Sequence, residues 1–115
     1  MHDHERFKCP VIVSLPTEID IANAEAVGEQ LRAAFAPGVS VVIADLSSTV
    51  FCDASGARQL MMAHKRAVAS NGHLLVVISS SNVRRVLAIL GFDRVLEIYS
   101  DLAAALATRP PPNGQ

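Results

Sequence analysis

Residues 41–67 read VVIADLSSTVFCDASGARQLMMAHKRA, and their reading decides the fold. An apolar run ends at Asp45. After a short interval, Phe51-Cys52-Asp53-Ala54-Ser55-Gly56 opens a helical pattern. Val39–Leu46 is apolar almost throughout, the mark of a strand buried on both faces. Asp53 is a good N-cap, because its carboxylate accepts unpaired N–H groups of the first turn. Ala57, Leu60, Met61, His64 and Val68 recur at helical spacing and predict the core face. Asn71-Gly72 marks the end of that helix. With Asp53 in the cap, the Ser55 hydroxyl is left free for another task. Gly56 beside it removes side-chain bulk.

The same reasoning extends outward. Val11–Leu15 reads as a buried strand stopped by Pro16. Asp20 is the expected cap of a helix carrying Ala24, Val27, Gly28, Leu31, Ala34 and Phe35 at helical spacing. Pro37-Gly38 ends it. Downstream, His73–Ser79 predicts another buried strand, and Ser79–Asn82 supplies caps. Val83, Val86, Leu87 and Leu90 form the core face of a short helix that Gly91 terminates. Val95–Tyr99 predicts a last strand. Ser100 or Asp101 then caps an Ala-rich helix reaching about Thr108. Strand and helix alternate, which predicts an α/β domain with a mostly parallel mixed sheet covered by about four helices and right-handed crossovers. A further edge strand has room only before Pro10. Thr17–Asp20, Asp53–Gly56 and Ser79–Asn82 should share one rim, where sites in open α/β sheets collect.

Length and composition agree. A chain of 115 residues suits one domain, assigned to residues 1–109, with Pro110–Gln115 as a disordered tail. A net charge of −1 provides no field toward nucleic acid. Cys9 and Cys52 make no disulfide framework and read as reduced thiols of a cytoplasmic protein. No apolar stretch approaches the roughly 18–20 residues of a membrane span. Met1–Arg6 lacks the apolar core of a signal peptide.

Ser55 would be the second residue of its helix. There the unpaired N–H groups and the dipole tolerate a phosphate. Arg58, Gln59, Met62 and Arg66 lie along the same stripe, off the core face, and Met62 among arginines points to a contact surface. The plainer alternative is a strand-to-helix turn whose polar residues only satisfy backbone groups. A catalytic serine needs an oriented base. His2 and His4 fall in a terminal tail, His64 on the helix core face and His73 at a strand start, and Gly-x-Ser-x-Gly is absent. The expectation is therefore no enzyme. His2, Asp3, His4 and Glu5 lack fixed geometry for a metal. Asp20, Asp45 and Asp53 would need a late-rim lysine to resemble an Mg²⁺-dependent receiver, and Ser79–Ser81 offers none. No Gly-rich phosphate loop calls for a cofactor. Cys52 reads as core packing and Arg84-Arg85 as a solvated helix face.

From about Val11 to Ala107, the ordered motifs resemble the anti-sigma factor antagonist family, built on the STAS domain. They are the strand ending in Asp45-Leu46, the Phe51-Cys52-Asp53-Ala54-Ser55-Gly56 turn, and the helix end Leu90-Gly91-Phe92-Asp93. Thr17-Glu18-Ile19-Asp20 stands where that family has Gly-Glu-Leu-Asp. The resemblance implies that Ser55 is a phosphoacceptor. It also implies partner contact through Glu18, Asp20, Asp53, Gly56, Arg58, Gln59 and Met62. The implied partners are an anti-sigma factor of histidine-kinase-like ATPase fold, which phosphorylates the serine, and a serine phosphatase that resets it. Thr17 in place of Gly, Ala54 in place of a serine and the curtailed N-terminal strand depart from the pattern. A STAS module of a stress complex or transport regulator is the first alternative. A small nucleotide-binding or hydrolytic α/β protein is the second.

Overall fold

Val39–Leu46 becomes strand β3 (Val41–Leu46) at the heart of a parallel sheet in the computed structural model, which describes residues 10–108. Its neighbours are β1 (Val11–Ser14) and β5 (His73–Ile78), and β6 (Glu97–Tyr99) completes the order β1-β3-β5-β6. Val13 pairs with Ala44, Ile43 with Leu75, and Val76 with Ile98. Strand side chains alternate between two layers. Val42, Ala44, Leu46, Leu74, Val76 and Ile78 face the main core. There they meet α1 (Ala24–Ala34), α2 (Ala54–Ala69) and α3 (Ser81–Ile89). Ile43, Leu75 and Val77 point the other way and pack on Ala105 of α4 (Leu102–Ala107). Burial on both faces explains the nearly unbroken apolar runs of β3 and β5. The predicted α/β architecture is therefore present, and the strand pairs of this sheet are all parallel among the described residues.

Several local expectations shift. Helix α1 begins at Ala24, not directly after Asp20. The Asp20 carboxylate still accepts the Ala22 N–H at 2.9 Å, while Asn23 Oδ1 accepts the Asp20 N–H at 2.9 Å. An extra turn therefore precedes the helix. Val68 is 58% exposed, and His64 is half-buried with an unpartnered Nδ1. Ala63 and Ala67 occupy the core in their place. The apolar stripe was misjudged because alanine counts equally for core and surface. Gly91, with φ 77°, turns the chain in the left-handed region after α3. A 3₁₀ turn (Phe92–Arg94) follows, which delays the last strand from Val95 to Glu97. Asp101, rather than Ser100, caps α4 by accepting the Ala104 N–H at 2.7 Å. The edge strand before Pro10, Cys9, the His2–Glu5 cluster and the tail from Pro110 lie outside the described residues.

A second, smaller sheet was not foreseen. β2 (Glu18–Ile19) pairs in parallel with β4 (Phe51–Cys52). The pair continues into the loops: the Val50 N–H donates to Thr17 O at 2.8 Å and the Asp53 N–H to Ile19 O at 3.0 Å. The fully buried Thr49 donates its hydroxyl to Pro16 O at 2.7 Å. Two-residue strands are too short for a period to be visible in sequence.

Candidate functional site

The small sheet binds two of the three expected rim loops together, the one before α1 and the one before α2. Asp53 lies where they meet. Its backbone is extended (φ −91°, ψ −174°), as an N-cap requires. Its Oδ1 accepts the Ser55 N–H at 2.9 Å and the Gly56 N–H at 3.2 Å. The Ser55 hydroxyl donates to that same oxygen at 2.5 Å. The hydroxyl is therefore engaged, not free as the sequence implied. The Ser55 hydroxyl first, then the N–H groups of Gly56, Ser55 and Ile21, hold the Asp53 carboxyl below its usual range, against a smaller opposing effect of burial. The Ile21 amide, in the turn before α1, adds the weakest of these effects.

Gly56 does not open space beside Ser55. It is buried, and a Cβ there would lie 2.6 Å from Ile19 Cγ2 and 2.8 Å from Cys52 Sγ. Its bareness lets α2 press against the small sheet. Cys52 is itself buried; burial, aided by the Asp53 charge, pushes its thiol up to about 11. An inert core thiol follows, as expected.

The outward stripe divides. Arg58 is exposed and Met62 is 44% exposed. Gln59 is half-buried, with its amide where a Gly28 Cβ would stand, so it covers α1. Glu18 is exposed and Asp20 is half-buried. Arg66 lies two turns below Arg58 and lines a cavity of about 390 Å³ between the C-terminal ends of α1 and α2, together with Arg32, Phe35 and Val39. Sequence reasoning overlooked Ile21 and Phe51, which are 82% and 49% exposed next to Asp53. Their signal was available: both are large apolar residues outside any core period. The third rim segment follows β5, which pairs in parallel with β3, and leaves the sheet at the same end. Ser80 caps α3 and Ser79 donates its hydroxyl to Ser100 O at 3.3 Å. Arg84 and Arg85 are exposed. Among the described residues, no three His, Cys, Asp or Glu side chains are arranged to hold a metal ion. No helix among them is long and apolar enough to cross a membrane.

A STAS-domain family model matches residues 2–105. The chain belongs to the STAS-domain family. Comparison with curated proteins gives no match. Among solved structures, an anti-sigma factor antagonist from Mycobacterium paratuberculosis is similar at 27% identity and TM-score 0.75, covering 84% of this chain and 81% of that one. The anti-sigma factor antagonist SpoIIAA, in its unphosphorylated form, shares the fold at 18% identity and TM-score 0.63, covering 82% of each chain. So does a sulfate transporter family protein from Wolinella succinogenes, at 19% identity and TM-score 0.69, over 87% of this STAS chain and 86% of that one.

Proposed function

We propose that this STAS domain is an anti-sigma factor antagonist controlled by phosphorylation of Ser55. The observation that carries the reading is the Ser55 hydroxyl, held at the start of α2 on a rim that also exposes Ile21, Phe51 and Met62. Likeness to the mycobacterial antagonist adds support. In this reading the protein acts in the cytoplasm, by binding rather than by catalysis. Unphosphorylated, it binds an anti-sigma factor of histidine-kinase-like ATPase fold and frees a sigma factor. The exposed apolar residues supply the contact area, and Arg58, Glu18 and Asp20 supply its charged margin. Gly56 and Gln59 serve from behind, one seating α2 on the small sheet and the other covering α1. The partner, using its own nucleotide, phosphorylates Ser55 and the complex parts. A serine phosphatase restores the first state.

Electrostatics make such a switch sufficient without refolding. A phosphate adds about −1.5 to −2 charges. Against a partner carboxylate about 5 Å away, that is roughly 6 kcal/mol at an effective dielectric of about 20, before salt screening. A hundredfold loss of affinity needs only about 2.7 kcal/mol. Repulsion therefore suffices even with half of it screened. The test is capture of partners from the source lysate with and without ATP, followed by mass spectrometry. One phosphate on Ser55, absent in Ser55→Ala, is the expected result. Phosphate only on Ser79–Ser81 would refute the assignment.

A further inference from the structure

Asp53 does more than a cap requires. Capping needs an oxygen facing the backbone N–H groups, and Ser or Asn supplies that about as well as Asp. Here Oδ1 also takes the Ser55 hydroxyl at 2.5 Å, within the range of charge-assisted O–H···O⁻ bonds. The backbone donors of Ser55 and Gly56 fix that oxygen in turn. The hydroxyl proton is thus aimed at Asp53, and the Oγ lone pairs face away from it. A serine rotamer left to itself would sample three staggered positions; this one has its direction set before any partner arrives.

Resting on the reading of Ser55 as phosphoacceptor, we infer that Asp53 is a positioning residue for phosphoryl transfer. Its carboxylate holds Oγ in the orientation that attacks the terminal phosphorus of a nucleoside triphosphate carried by the kinase partner. The step forms the Oγ–P bond and breaks the bond from that phosphorus to its bridging oxygen. Nucleoside diphosphate leaves, and one proton is released from Oγ. Asp53 is a poor destination for that proton, since three donors already stabilise its ionised form. The proton goes beyond it, to a kinase base or water. Phosphoryl transfer gains chiefly from positioning, which is the contribution Asp53 can make.

The experiment compares wild type, Asp53→Asn and Asp53→Ser as substrates of the purified anti-sigma kinase recovered with this chain, using radiolabelled ATP. Both variants keep a capping side chain, so both should stay folded at the assay temperature, with melting points only modestly below wild type as the charged cap is lost. The expected result is a loss in kcat of roughly tenfold for Asn, which keeps a neutral acceptor, and roughly hundredfold for Ser, with KM within about twofold. Wild-type kcat in both variants would overturn the inference. So would a change confined to KM, which would make Asp53 a docking contact, or unfolding of both variants, which would make it structural. Failure of wild type itself to be labelled by a kinase that binds it would instead refute the phosphoacceptor reading, and this inference with it.

Discussion

Two helix glycines are crowded to a similar degree and for opposite reasons. Gly56, in the first turn of α2, faces inward, where Ile19 and Cys52 are both essentially buried. Gly28, in the middle of α1, faces Gln59, whose Oε1 would lie 2.1 Å from an added Cβ. The first obstacle is a stiff β-branched side chain and a packed sulfur. The second is the far end of a flexible amide that can swing toward solvent. Crowding at the site end of α2 is therefore structural necessity, while crowding between the helices is convenience. The surface beside Ser55 is held rigidly from beneath, and its lower flank is adjustable.

The comparison can be broken by mutation. Leu60→Ala sets the scale for the core beneath the site, with an expected loss of about 2–5 kcal/mol in denaturant unfolding. Gly56→Ala should cost about 1–3 kcal/mol as an overpacked position. An unchanged midpoint would mean that Ile19 and Cys52 yield easily. Gly28→Ala should be neutral or stabilising by up to about 1 kcal/mol, because alanine is the better helix former and Gln59 can move. A loss as large as that at Gly56 would erase the distinction. Val68→Ala, on the exposed side of α2, should stay within about 0.5 kcal/mol.

Titration sharpens the same contrast, since Asp53 and Cys52 flank Gly56's contacts. The Asp53 carboxyl is lowered in the fold. Its contribution is present above the unfolded value of about 3.9 and disappears as pH falls through the lower folded value. The Cys52 thiol is raised to about 11. Its contribution is whole below the ordinary thiol value of about 8.5 and is lost as pH rises toward the folded value. Thermal melting across both ranges should show an acid limb flattened by Asp53→Asn and an alkaline limb flattened by Cys52→Ala.

How much of this was legible beforehand follows from the kind of information each feature needs. β3 and β5 were readable because burial on both faces leaves an apolar run in the sequence itself. The caps at Asp53 and Ser80 were readable because capping uses few residue types at fixed offsets. Gly56 was found but misread: a sequence gives the absence of a side chain, not the direction in which it is absent. The Ser55–Asp53 bond depends on a rotamer and was invisible for that reason. β2 and β4 leave no trace in the sequence because two residues carry no period, and Ile21 and Phe51 stand outside any apolar period. Gln59 had the right helix phase to be exposed, but α1 stands beside it.

The pairing of β2 with β4 also bears on the order in which the chain comes together. Glu18 meets Phe51, and the Thr49 hydroxyl reaches Pro16, 33 positions earlier. Such closures follow the local helices, since a long loop must be gathered before the contact rewards it. The Asp53 N–H and the Ile19 carbonyl, which set the entry to α2, meet only once that gathering is complete. A half-folded chain can thus carry the whole motif Asp53-Ala54-Ser55-Gly56 and still not present the serine as the native protein does. Pulsed hydrogen exchange during refolding should protect the amides of β3 before those of Val50 and Asp53. On the proposed reading of Ser55 as phosphoacceptor, that serine would then report on the completeness of the molecule that bears it, and its kinase would pass over unfinished copies.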